Sequence, residues 1–242
     1  MLKTPTEKWA LYDQLLALTD PGQPVTGFES GRFWLMVTTA SGAVGLAQKP
    51  GGDPPQSPVG LSLRETAQFV KSWDFNQAAV GLAAINAAIN SRPLAKPGLD
   101  AFDFYLNEVK GRKVAVVGHF PYLNRYKSSC QLTILERNPQ PGDLPDSAAE
   151  YILPEQDYVF VTGSALINKT LPRLLELSAQ AVVTLVGPSV PLTPLLFDYG
   201  VATLAGLIVD DTPQLIQGVK TDQCEAIFKS GSRKVNLQRP QA

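Results

Sequence analysis

The stretch ERNPQPGD places Glu136 and Asp143 on one Pro/Gly-rich turn. Two carboxylates so close in sequence can hold a hard cation through oxygen, or divide acid and base roles if burial separates their proton affinities. The alternative for Asp143 is a plain turn cap. His119, the only histidine in the chain, follows the apolar run VAVVG and is, with Glu136, a candidate catalytic residue. One histidine and two distant cysteines, Cys130 and Cys224, do not supply tetrahedral zinc ligation. A metal here must rely on oxygen ligands, with Glu136 and Asp143 the candidates, or arrive already chelated. Two more stretches, VFVTGSALINKT and GPSVPLTP, end apolar runs in small polar residues. Thr162, Gly163, Ser164, Gly187 and Ser189 would gather free N–H groups and hydroxyls of the kind that hold anions. Ser164 and Ser189 read equally well as helix caps. Asn168, one turn beyond Ser164, shares its helix face.

These residues can meet only if the strands before them run parallel and open on one edge. The second half of the chain has that pattern. VAVVG, LTILE, YVFVTG, AVVTLVG and ATLAGLIV are near-continuous apolar runs, as strands buried on both faces should be, and most are separated by helix-length segments. An open, mainly parallel Rossmann-like α/β sheet with right-handed crossovers follows, with ligands outside the carboxyl ends of its strands. A classical dinucleotide site is another matter. GHFPYLNRY keeps only Gly118 of the glycine fingerprint and puts Phe120 and Leu123 where the other glycines belong, which argues against NAD. Glu136 does match the acid that bonds a ribose, at about 20 residues beyond the first glycine, although a solvated glutamate at a strand end reads the same way. The absence of G-x-S-x-G and of a defined acidic partner for His119 gives a hydrolase triad little support.

The first half reads differently. PVTGFES, RFWLMVTT and AVGLAQ are short extended segments, the last two joined by a tight turn at Ala40-Ser41-Gly42. MLKTPTEKWALYDQLLAL reads as a helix capped by Thr4, Pro5 and Glu7 without a signal-peptide core. Two later helices are SLRETAQFVKSWD, with Ser62 as cap and Glu65 three residues on, and NQAAVGLAAINAAINS. Asn86 and Asn90 lie at i, i+4 on the latter and suggest a hydrogen-bonding edge facing the other half. RPLAKPG is a plausible linker, so the expected units are a small α+β domain over residues 1–97 and the Rossmann-like domain over 98–242.

Composition narrows the partners. A net charge of -1 leaves no surplus of cations to neutralise a nucleic-acid backbone. Two unpaired cysteines fit a reducing cytoplasm, and the longest apolar run is too short for a bilayer. A cytoplasmic protein without nucleic-acid or membrane partners is expected. Homo-oligomerisation rests on base rates alone.

Assembled, GLAAINAAIN, VVGHFPYL, the block from Glu136 to Leu177 and GPSVPLTPLLFDYGVATLAG resemble the heavy-metal-chelation domain family, long catalogued as a domain of unknown function. The resemblance covers most of the chain. It implies an enolase N-terminal-like domain before a Rossmann-like one, with a ligand cleft between them. Enolase-like architecture does not bring enolase chemistry, since no barrel pattern is present to carry the magnesium carboxylates. Carried over by resemblance are Asn86, Asn90, Gly118, Phe120, Pro121, Glu136, Asp143, Thr162, Gly163, Asn168, Gly187 and Ser189.

The expected function is binding of a small polar or anionic ligand in the interdomain cleft, in the sense of heavy-metal chelation or the handling of a metal chelate, with a divalent metal ion or metal chelate as the candidate cofactor. The alternative is a transferase or lyase of metallophore or cofactor metabolism, with a nucleotide-like cosubstrate on Glu136 and His119 as acid or base. A third reading is a module whose cleft receives a protein segment.

Overall fold

The computed structural model describes residues 8–90, 98–120, 123–223 and 225–240. The expected cap at Thr4, Pro5 and Glu7, nearly all of the linker RPLAKPG, Pro121 and Cys224 lie outside them. Helix α1 (Ala10–Ala17) buries Leu11, Tyr12, Leu15 and Leu16, the i, i+4 spacing that puts apolar residues on one face. It leads into an antiparallel meander, β1 (Val25–Ser30), β2 (Trp34–Thr39) and β3 (Val44–Gln48), with Gly42 taking the left-handed turn position.

Helix α2 (Leu63–Gln68) starts at the expected capping box, Ser62 and Glu65 each satisfying the other's backbone N–H. Helix α3 (Phe75–Ile89) starts at Asp74 and is buried almost all round. Its small residues let the meander lie against its backbone. A Cβ on Gly45 would stand 1.9 Å from the Ala83 carbonyl oxygen and 2.2 Å from the Ala87 nitrogen. Gly45→Ala should therefore push β3 off α3 and cost about 2–4 kcal/mol. Urea unfolding checks this, and a loss below about 0.5 kcal/mol would contradict the packing.

After α4 (Ala101–Tyr105) come β4 (Lys113–Val117), α5 (Asn124–Lys127), β5 (Gln131–Glu136), the two-residue β6 (Leu144–Pro145), α6 (Ala149–Ile152) and β7 (Tyr158–Thr162). The chain continues through α7 (Leu171–Leu177), β8 (Val182–Val186), β9 (Val201–Val209), α8 (Thr212–Thr221) and β10 (Ser232–Gln238). The sheet order is β10-β9-β8-β7-β4-β5-β6, parallel except for the antiparallel edge strand β10. The five expected strands are all present, and their four named exits share one edge. The order turns back between β4 and β7: the chain builds outward through β5 and β6, then returns to the other side of β4. That is a topological switch point, where adjacent loops diverge and leave a crevice.

One side of this sheet is covered by an aromatic cluster of Phe102, Tyr105, Tyr126 and Phe160. On the other side the principal core runs without a break from Leu15, Leu63 and Ile85 into Val117, Val161, Leu166 and Leu204. The meander thus shares its core with the sheet. No described helix is long and apolar enough to cross a membrane.

Candidate functional site

Strand β4 ends at Gly118, whose φ of 105° is a conformation that side-chain-bearing residues rarely adopt. A Cβ there would come within 3.2 Å of Thr162 at the end of β7, so the glycine also lets the two exits approach. Between them opens a crevice of about 90 Å³, lined in part by Gly118, Glu136, Arg137, Asp146, Thr162 and Asn168. A wider recess of about 280 Å³ lies beside Ser41–Val44, Asn90, Val209 and Thr212. Its described lining holds no titratable group. The smaller crevice, at the switch point and walled by charged side chains, is the better candidate.

Glu136 organises the crevice. One carboxylate oxygen accepts the His119 N–H at 2.9 Å, and the other accepts those of Arg137 and Asn138 at 2.8 and 3.2 Å. The side chain so fastens the β4 exit to the β5 exit. With three backbone donors already on it, it is less suited to coordinating a bare cation than the sequence suggests. Arg137 pairs with Asp146 at 3.2 Å and lies 5.8 Å from the Phe75 ring centre. Phe75 is thus the residue through which the leading segment reaches the crevice wall.

Beside Glu136, His119 Nδ1 lies 2.9 Å from Asp143 Oδ2, and the Asp143 side chain is only 4% exposed. A carboxylate oxygen accepts, so Nδ1 carries the hydrogen. The same Oδ2 accepts the Gln140 N–H at 3.0 Å. His119 therefore has a defined acidic partner, contrary to the sequence reading: the turn that separates Asp143 from Glu136 brings its carboxylate back to the β4 exit. The turn-cap reading of Asp143 is seen in the Gln140 contact, and the same oxygen also meets the imidazole.

Several other expected site residues are engaged by neighbouring protein groups. Thr162, rather than Ser164, caps the turn after β7. Ser164 donates to the Gln48 side chain, and Ser189 accepts the Gln48 N–H at 2.8 Å. Both serines join β3 to the sheet loops, and Ser189 is 2% exposed. Asn90 is buried and bridges the Val190 carbonyl and the Leu192 N–H. Asn86 does not face the other half: it donates to the Leu46 carbonyl within the leading segment, and its oxygen has no partner among the described residues. Gly163 packs against the Ser189–Val190 backbone, with no room for a Cβ. Gly187 forms the turn after β8 at φ 111°. Phe120 packs on Phe102 with its ring edge against Gly118, and it is not among the residues lining the crevice. Asn168 lines the crevice and accepts from both the Thr170 N–H and its hydroxyl.

Arg137, Asp146 and Thr170 are lining residues that sequence reasoning passed over. Arg137 was detectable as the neighbour of Glu136 at a strand exit. Asp146 was not, because only the fold sets it against Arg137.

Lys169, in a left-handed conformation, donates to the carbonyls of Ser72 and Ile167 and lies 5.4 Å from the Phe75 ring centre. Partial burial draws its ammonium down to about 8. Below that pH both folded and unfolded chains hold the proton. Between about 8 and the ordinary 10.5 only the unfolded chain keeps it, so stability should rise with pH across this window. Solvent moderates the effect, since the side chain is only half-buried. Urea unfolding below and above the window, with Lys169→Met as control, should show a rise that the variant lacks; equal slopes would contradict it.

Among the described residues, no group of three or more His, Cys, Asp or Glu side chains is gathered to enclose a metal ion.

The fold and crevice define a Rossmann-like sheet with a leading α+β segment over its strand ends. Residues 12–89 and 100–238 match two family models, DUF4213 and DUF364, both described as "Putative heavy-metal chelation", and the chain belongs to this family. An uncharacterised protein of Methanocaldococcus jannaschii is 30% identical over 189 residues, which are 74% of this chain and 73% of that one. The crystal structure of a DUF364 protein from Desulfitobacterium hafniense is 37% identical with a TM-score of 0.88, covering 97% of this chain and all, 100%, of that one. A DUF364 structure from Pyrococcus horikoshii, 23% identical, shares the fold with a TM-score of 0.79 over 95% of this chain and 98% of its own.

Proposed function

We propose that the chain binds a small polar or anionic molecule, a metal chelate or its precursor, in the crevice between the β4 and β7 exits. The observation that carries this reading is the coincidence of the switch point with a recess walled by Gly118, Glu136, Arg137, Thr162 and Asn168. Arg137 offers guanidinium donors to an anionic group, while the Thr162 and Thr170 hydroxyls, which donate to Ser164 and Asn168, present their oxygens to a polar one. Phe75 and Lys169 set the edge nearest the leading segment. Asn90, Ser164 and Ser189, held by other protein groups, serve the frame and not the ligand. A metal would enter with most of its coordination already satisfied, in keeping with the absence of an enclosing cluster among the described residues.

Thermal-shift screening with metal chelates, free polycarboxylates and adenosine-containing cofactors tests the reading. A ligand at 100 times its dissociation constant should stabilise by about 2.7 kcal/mol, and Arg137→Gln with Thr162→Val should remove the response. Stabilisation by a ligand that both variants leave untouched would place binding elsewhere.

A second reading, an enzyme of the transferase or lyase kind, is favoured by the His119–Asp143 pair. Such a pair gives an acid or base the fixed tautomer and orientation it needs. Adenosine-containing cofactors would then be the responders in the same screen.

A further inference from the structure

The His119 imidazole is fixed from two sides. Its backbone N–H is held by Glu136 and its Nδ1 by Asp143, whose own oxygen is anchored by the Gln140 N–H. The Nε2 atom has no partner among the described residues, and the side chain is 31% exposed. A buried carboxylate on Nδ1 with Nε2 left open is the arrangement that orients a metal-ligating histidine and strengthens its lone pair. Asp143 holds the ring through the same oxygen that caps its own turn, so the imidazole is fixed by a group that is itself fixed and presents only Nε2 outward.

We infer that His119 Nε2 is a single protein ligand to a borderline divalent metal, of the copper, nickel or zinc kind, presented in a small chelate with an open coordination position. The Nε2 lone pair would displace a bound water, with no change in oxidation state. The metal class follows from the donor, since imidazole suits these ions and a lone nitrogen does not hold calcium or magnesium. Asp143 is then a positioning residue. The inference rests on the chelate reading of the crevice for its ligand class, but its test reads the imidazole itself.

The probe is copper(II) iminodiacetate, added to the full chain without an affinity tag and followed by electron paramagnetic resonance and calorimetry. Because His119 is the only histidine, hyperfine coupling to one imidazole nitrogen can come from no other residue. The expected result is that coupling in the wild type, with affinity at least tenfold above free imidazole, a loss of about 10–100-fold in Asp143→Asn and no imidazole coupling in His119→Ala. Circular dichroism establishes that each variant is folded. Affinity equal to free imidazole, or an Asp143→Asn variant that binds like the wild type, would overturn the inference, because His119 would then be an ordinary surface imidazole. Arg137→Gln separates the two claims. Unchanged nitrogen coupling alongside lost crevice binding in the thermal-shift screen supports both, whereas absent coupling with intact crevice binding removes this one alone.

Discussion

Asn90→Ala should lower the unfolding free energy by about 2–4 kcal/mol, because each buried backbone group left without a partner costs about 1–3 kcal/mol. The side chain is 5% exposed and serves two such groups at once, donating to the Val190 carbonyl at 3.0 Å and accepting the Leu192 N–H at 2.8 Å. Alanine supplies neither function, and Val190 and Leu192, which carry the two backbone groups, are 0% and 1% exposed. For a chain of this size the melting temperature should fall by about 5–15 °C. The crevice lies among other residues, so ligand responses should persist in the folded variant. A stability loss below about 0.5 kcal/mol, or a ligand response abolished while the fold survives, would return Asn90 to the binding site.

Glu136→Gln is the more instructive change at the crevice. The carboxylate accepts from three backbone N–H groups, those of His119, Arg137 and Asn138, and an amide has only one oxygen to offer them. Whichever way the amide turns, its NH₂ meets a donor. The expected cost is about 1–3 kcal/mol, together with release of the β4 exit from the β5 exit. Loss of this order of preorganisation weakens ligand binding by about tenfold or more. Calorimetry with a ligand from the screen reads the affinity, and the resonances of the single imidazole report whether His119 has moved. Wild-type affinity with an undisturbed imidazole would mean that Glu136 is neither frame nor contact.

The sequence revealed the sheet more readily than the site, for physical reasons that particular residues make plain. Strands β4, β7, β8 and β9 are buried on both faces through most of their length, β5 only at Ile134 and Leu135, and VAVVG or YVFVTG cannot easily be anything else. The capping box at Ser62 and the turn at Gly42 are local devices, and local devices are readable. Strand β10 escaped notice because SRKVNLQ is an edge strand with mixed burial, lacking a continuous apolar run. At the strand exits the sequence indicated which residues gather there, but not which of them the leading segment would cover. Ser164 and Ser189 look like anion ligands until Gln48 is placed between them. Asn86 and Asn90 share a helix face, yet only Asn90 reaches beyond the leading segment. The acidic partner of His119 was invisible for the converse reason. Asp143 lies on a later loop, and only the parallel pairing of β4 with β5 brings the two together.

The central claim is that the switch-point crevice is where the protein holds its ligand. Native mass spectrometry with elemental analysis, on wild type and Arg137→Gln/Thr162→Val purified identically from the native host, tests it most directly. The account predicts a small molecule or metal chelate on the wild type that is depleted at least tenfold on the variant, with both proteins folded. A ligand retained equally by both would contradict it and direct attention to the recess beside Ser41 and Thr212.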